Sequence, residues 1–471
     1  MSSVQEGSWN DLLGGRNLFF SIALSGGVAL HAINIYIATT VLPSVVNEIG
    51  GLELYSWNTT LFVVASILGS ALTSRLLAQL GARKAYLVAV MLFIAGSLVC
   101  ALAQTMPVML AGRALQGLGG GFLFALCYAM IYTVFDEKLW PRAMALISGM
   151  WGVATLLGPA AGGIFAEMNA WRAAFGILVP VTLLYMLLVW LVFPAHKHAA
   201  GLPASKLPLL LLVAAVMAVS TGGMSPDVTI NVAGISVAVV LILLLIRREY
   251  SSEIRLLPRD ALRLNSPLLA LYTTMALLII GMTSETFIPY FLQILHGQTP
   301  LISGYLAALM AAGWTVSEIW SSGWQGRGVK RAIATGPALV LAGMVVLALS
   351  TPRSAGGDWI VLSLIGLGLT LVGFGIGLGW PHLLTRILQV APAEDQDTAA
   401  TSITTVQLFA TALGSAVAGM LANAGGVSMP GGREGASSAA WLLFAVMAAA
   451  PLLSLLSAKR VIAGLNKQRV S

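Results

Sequence analysis

Charge is what this 471-residue chain has least of: 9% of its residues are Asp, Glu, Lys or Arg, against about 25% in soluble domains. With 58% hydrophobic residues, a soluble globular domain is excluded and an integral membrane protein is the reading. Cysteine is nearly absent. Cys100 and Cys127 both sit in apolar runs, which implies no disulfide framework and reads as thiols packing like small hydrophobes. Enzyme signatures are missing as well. There is no His-Glu-x-x-His, Cys-x-x-Cys, Gly-x-Ser-x-Gly or phosphate loop, and His196-Lys197-His198 lacks the further ligands a metal site needs. Gly373, Gly375, Gly377 and Gly379 fall inside an apolar run, so they read as packing glycines rather than a nucleotide cradle. Energy from ATP would need a separate subunit, and no cofactor is expected. The net charge of +7 would point to nucleic acid in a soluble protein. Here the basic residues lie in short loops, so they report orientation, and no nucleic-acid partner is expected. The first apolar run, Leu18 to Leu42, is too long for a signal-peptide core and no small-residue cleavage site follows it.

What is present is long apolar runs. Fourteen of roughly 17 to 28 residues are marked, each long enough or nearly so to cross a bilayer. The first lies near 18–42 and the last near 437–458, with the seventh, near 207–223, the shortest. If the N-terminus is cytoplasmic, the outer loops hold only Arg172, Arg353 and Arg433. Arg113 is intramembrane, and the other 21 of the 25 Lys and Arg face the cytoplasm, which is the bias the positive-inside rule requires. Removing the seventh run alone would invert every later loop, so the seventh and eighth both cross or neither does. The outer loop Gly425 to Ser438 reads as a flexible Gly/Ser tether.

The spans divide into blocks. Gly81-Ala82-Arg83-Lys84 follows the second span, and Gly328-Val329-Lys330-Arg331 follows the tenth. The repeat implies a six-helix bundle over 1–206, two inserted helices over 207–246, a cytoplasmic connector over 247–265 and a second six-helix bundle over 266–471. Many transporters are built from two such blocks, with the solute site near the midplane. The stretch from Arg113 to Gly163 carries the strongest signal. Arg113 is the only Lys or Arg deep in a span, where a charge costs at least ~2.5 kcal/mol. It therefore marks a solute path or, in the bland reading, a structural ion pair. The span that follows holds Gly158, Pro159, Gly162 and Gly163, a bendable small-residue face.

These residues resemble the major facilitator superfamily, most closely its fourteen-helix drug:proton antiporters. Arg113, Gln116 and Gly117 match that family's fourth-helix motif, and Gly158, Pro159, Gly162 and Gly163 its fifth-helix antiporter motif. Trp171-Arg172 follows where the family has that pair. The resemblance implies an all-α polytopic fold of fourteen helices and proton-driven export by alternating access. Two departures stand out. The family's loop after the second helix has a glycine and an aspartate where this chain has Ser74 and Ala78, leaving Gly81, Arg83 and Lys84. Its first-helix aspartate corresponds to Asn34.

Only two carboxylates, Glu285 and Glu318, lie well inside apolar runs. Glu285 is the preferred carrier of a coupling proton, with Pro289 one turn on. Glu318 is a second candidate or, being nine residues from Arg327, one half of a structural lock. His31 is an intramembrane group able to carry a proton, or a neutral hydrogen-bonded histidine. Asn34, Tyr36, Tyr128, Tyr132, Trp151, Tyr290 and Gln407 are candidate cavity residues, each equally readable as packing. The expected job is export of lipophilic or cationic small molecules in exchange for protons, by a monomer in the inner membrane of a bacterium. Proton-coupled transport of one metabolite, and a transporter-like receptor without flux, are the alternatives.

The topology is testable. With both termini cytoplasmic, single cysteines at positions 48 and 433 should react with an impermeant thiol reagent on intact cells. Labelling at 460 but not at 433 overturns the orientation.

Overall fold

A computed structural model describes residues 8–193, 206–225, 227–251, 255–354 and 356–467. His196 and His198 lie outside them. Among the described residues all regular structure is helical, with no strand. That is what lipid demands of a chain that does not close into a barrel, because a helix pairs its backbone groups within itself. Among the described residues, twelve helical stretches are long and apolar enough to cross a membrane.

That number falls short of the expected fourteen at two places. Leu52–Ala101 runs as one stretch of 50 residues, interrupted at Gly81, whose φ of 75° and ψ of 167° are not helical. Glycine is the residue that takes positive φ without a Cβ clash. The seventh run is the other difference: Leu207–Gly222 is apolar but shorter than the rest. The Gly425–Ser438 loop is also not a free tether. Val427 is fully buried, Ser428 donates to the Asn423 side chain at 2.9 Å, and a new helix begins at Gly432.

The chain forms two compact units. The first comprises Met1–Gly50 and Leu61–Ala204. In it the helix Gly15–Ile49 lies against Trp140–Glu167, where Gly158 faces Tyr36 and Gly162 faces the Ile37 carbonyl and Thr40. Met106–Val134 presents glycine to two neighbours. Gly117 and Gly121 meet the backbone of Phe62 and Ser66, while Gly112 and Gly119 meet Gly96, Cys100 and Phe93. With the backbones this close, Ser66 and Ser70 donate across to the carbonyls of Gly117 and Gly121, at 3.0 and 3.1 Å. Small residues set such contacts in membranes because lipid supplies no hydrophobic drive between helices.

The second unit comprises Gly51–Thr60 and Ser205–Ser471. The helices Lys206–Gly222 and Val228–Ser251 pair through Gly222 and Gly234, and Gly223 sits on Met420. Both helices are thus packed into this unit. Asn423 gathers its parts, donating to the carbonyls of Glu53 and Gly223, each at 2.9 Å. In the connector, Glu249 accepts the amides of Leu256 and Leu257 at 3.0 and 3.1 Å. The glycine run of Trp359–Val390 serves two neighbours at once. Gly373 and Gly377 face Met310 and Trp314, whereas Gly375 faces Gly336 and Val340. On a helix of 3.6 residues per turn, i and i+4 share a face and i+2 lies nearly opposite.

Close approach predicts which glycines are intolerant. At Gly121 a Cβ would land on the Ser66 backbone, whereas at Gly149 it meets nothing within 4 Å. Gly121→Ala should cost about 1–3 kcal/mol through overpacking and Gly149→Ala nothing measurable. Thermal unfolding of purified protein checks this, and equal transitions for the two variants would contradict it.

Candidate transport site

The first unit holds a buried polar chain built around one ring. Arg113 is 2% exposed. Its guanidinium donates to Gln116 Oε1 at 2.8 Å and lies over the Phe62 ring, 4.2 Å from the centroid. Gln116 in turn donates to Ser97 Oγ at 2.9 Å. The spacing explains the local geometry, since residues three apart on a helix are neighbours. Gly117 lets Phe62 approach closely enough to receive the cation. A desolvated cation over an aromatic face is worth about 2 kcal/mol or more, close to the minimum insertion cost of the charge.

The same Phe62 ring continues to His31, at 5.3 Å between centroids. His31 is buried, and its Nδ1 has no hydrogen-bond partner. Phe124 lies 5.4 Å and Trp151 6.2 Å from it, and Gly120 leaves the room, since a Cβ there would stand 2.7 Å from Nδ1. One turn along the same helix, Asn34 is fully buried with neither amide atom partnered. Tyr128 joins through Phe124 at 5.1 Å. Of the sequence candidates, His31, Trp151 and Tyr128 therefore meet in one aromatic box. Tyr36 packs on Gly158 instead, and Tyr132 is exposed and edge-on to Trp140. Pro159 and Gly163 are buried within Trp140–Glu167. Phe62 and Phe124 were not readable as site residues, because in sequence they are ordinary members of apolar runs.

Two arginines fasten the ends of this unit. Past the Gly81 break, Arg83 donates through Nε to the Phe193 carbonyl at 2.6 Å and stacks over Trp190 at 5.7 Å. Lys84 is exposed. At the other end, Glu48 accepts from Arg172 and from Trp171 Nε1, the latter at 2.7 Å. Arg172 also donates to the Ala103 carbonyl at 2.8 Å.

The second unit holds the two acids. Glu285 lies in a 3₁₀ turn, Thr283–Phe287, that separates the helices Pro267–Met282 and Ile288–His296. Pro289 follows that break, as its missing N–H and ring clash require. The Glu285 side chain is half-buried, and among the described residues nothing donates to it. Thr283, two residues before it, donates to the Ile280 carbonyl at 2.7 Å. Phe287 stacks on Tyr55 at 4.8 Å, and Tyr290 meets the same ring at 5.7 Å. Glu318 accepts from Trp314 Nε1 at 2.9 Å and makes no ion pair with Arg327 among the described residues. Gln407 is half-buried on Gln396–Ala424.

Among the described residues, twelve helical stretches long and apolar enough to cross a membrane define a polytopic membrane protein. The Major Facilitator Superfamily model matches residues 24–415. A probable multidrug-efflux transporter of Mycobacterium tuberculosis is 36% identical over 467 residues, covering 96% of this chain and 97% of that protein. Multidrug resistance protein 3 of Bacillus subtilis is 23% identical over 412 residues, or 85% of this chain and 78% of that one. Among solved structures, the POT family transporter PepTSo superposes with a TM-score of 0.68 at 17% identity, covering 94% of this chain and 98% of its own. A bacterial homologue of the human lysosomal transporter Spinster gives 0.64 at 14%, covering 97% of each chain. At those identities the structures speak for the fold alone. The chain belongs to the major facilitator superfamily.

Arg113 should need its shape as well as its charge, because a planar fork can hold Gln116 while lying flat on Phe62. Arg113→Ala should abolish transport without loss of membrane insertion, and Arg113→Lys should retain little. Near-normal flux in the alanine variant would show the arginine to be idle.

Proposed function

We propose that this protein is a proton-coupled antiporter that exports lipophilic or cationic small molecules by alternating access, with Glu285 carrying the coupling proton. The observation behind the reading is a carboxyl at membrane depth, half-buried in a helix break, with no donor on it among the described residues. A carboxylate there is costly unless a proton or a cation accompanies it. Proton and cationic solute therefore compete for one group, and that competition is antiport. The multidrug-efflux relatives support the direction and the breadth of substrate. No cofactor is needed, because the proton gradient supplies the energy.

In this reading the chain crosses the membrane fourteen times as a monomer in a bacterial inner membrane, with both termini cytoplasmic. A straight helix of 50 residues would be about 75 Å long against a hydrocarbon core of about 30 Å. Leu52–Ala101 therefore crosses twice, turning at Gly81. Leu207–Gly222 then makes the shortest crossing, which keeps the positive charges of the later loops on one side.

Glu285→Gln is a fixed mimic of the protonated state. In proteoliposomes it should still exchange substrate down its own gradient, yet fail to concentrate substrate when a pH difference is imposed. Proton release on substrate binding, read in weak buffer, should vanish. Persistent release in Glu285→Gln would move the coupling site elsewhere, with Glu318 or His31 next.

A further inference from the structure

Glu318 stands apart from the coupling turn, and its surroundings have a chemistry of their own. The helices Pro300–Ser321 and Trp359–Val390 touch backbone to backbone. A Cβ at Gly373 would land on the Met310 carbonyl and one at Gly377 on the Trp314 carbonyl and Ser317 hydroxyl. This contact seats Trp380, one turn past Gly377, edge-on to Trp314, with ring centroids 4.9 Å apart. One turn past Trp314, Glu318 takes that indole's N–H on Oε2 at 2.9 Å. The carboxylate is thereby held beside an indole ring. Trp314 and Glu318 are half-buried and Trp380 is buried behind them.

Among the described residues, no ion pair completes this arrangement at Glu318. Cations lie over aromatic rings at Phe20, Trp190, Phe62 and Trp171, not at Trp314 or Trp380. One neutral N–H uses one of about four acceptor positions on a carboxylate, so the negative charge is left largely uncompensated in a low-dielectric setting, where it strongly favours a cation. The donor set also selects which cation. Calcium or magnesium would want about six or more oxygens, zinc about four ligands, and an ammonium ion would surrender strong hydration for little. A bulky organic cation with a delocalised or shielded charge loses little hydration and gains the ring faces. Val316, Ile319 and Trp320 on the same helix are exposed, so a ligand dissolved in the bilayer has an apolar approach.

We propose that Glu318, Trp314 and Trp380 form a binding site for lipophilic organic cations, separate from the Glu285 turn. It rests on the reading above only in that such cations are solutes of this protein. The Glu318 carboxylate supplies the charge attraction, Trp314 orients it and offers its ring, and Trp380 fixes Trp314. Glu318 is on this view a solute-binding residue rather than a carrier of the coupling proton.

Equilibrium binding decides it without recourse to transport. Tetraphenylphosphonium is titrated against full-length protein in lipid nanodiscs, with empty discs subtracted, in the Glu285→Gln background so that the coupling carboxylate contributes no charge. Adding Glu318→Gln should weaken binding by about tenfold or more, and adding Trp314→Phe by severalfold. Neutral triphenylphosphine oxide should bind all three proteins within about twofold of one another. A phosphonium Kd unchanged by both substitutions overturns the site, as does complete loss of phosphonium binding in Glu285→Gln alone. If Glu318→Gln does not insert, Trp314→Phe and Glu318→Asp carry the same comparison. Should Glu285→Gln prove still proton-coupled, the assignment of the coupling proton to Glu285 falls while the binding result at Glu318 stands or fails by itself.

Discussion

The Arg113 guanidinium over the Phe62 ring, 4.2 Å from its centroid, is the contact on which the first unit depends. A charge 2% exposed at membrane depth cannot be solvated, so the protein must surround it. Gln116 takes one N–H and Phe62 the face. That position of Phe62 exists only because Gly117 has no Cβ to block it. One turn on, Gly120 and Gly121 admit His31 and Ser66. The glycines of this helix are the space into which the cation, the ring and the imidazole fit. A helix with ordinary side chains there would hold its neighbours too far apart for a ring to reach the charge.

The second unit solves the opposite problem. Its intramembrane charges are negative, and neither Glu285 nor Glu318 meets an arginine or lysine among the described residues. What surrounds them is aromatic and neutral: Tyr55, Phe287 and Tyr290 by the 3₁₀ turn, Trp314 and Trp380 by Glu318. A cation stabilised by a ring and an amide is satisfied for good. A carboxylate beside rings is not, and is stabilised by whatever positive species arrives. The two units thus treat charge in opposite ways: Arg113 is compensated by Gln116 and Phe62, whereas neither acid meets a basic side chain among the described residues.

Much of this was legible because intramembrane charge and glycine spacing are local signals. Arg113, Gln116, Glu285 and Glu318 stand out in any apolar run, and Pro289 announces a break in regular helix near Glu285. The glycine run around Gly375 was readable as packing, although its division between two neighbouring helices was not. What escaped were residues whose roles come from the far side of a contact. Phe62 and Phe124 look like any phenylalanine in a span. Nothing in the sequence tells that Glu48 will meet Trp171 and Arg172, or that Tyr55 will stack on Phe287. The loop after Gly425 looked free because glycine and serine are abundant there. Its order comes from Asn423 and the buried Val427, which composition does not reveal.

The departures from the family's loop pattern find a physical answer at Arg83. With Ser74 and Ala78 where the family has glycine and aspartate, the loop has lost its usual carboxylate, yet the arginine is not idle. It donates to the Phe193 carbonyl, the residue that ends the helix Leu178–Val192. That carbonyl is one of the groups a helix terminus leaves unpaired, and it carries the negative end of the helix dipole. A guanidinium there both closes the helix and joins it to the segment after Gly81. Arg172 uses the Ala103 carbonyl in the same manner, beside its ion pair with Glu48. A carbonyl does not titrate. At Arg83, where the partner is a carbonyl, the contact therefore does not depend on the protonation state of a carboxylate, whereas at Arg172 it stands beside one, Glu48.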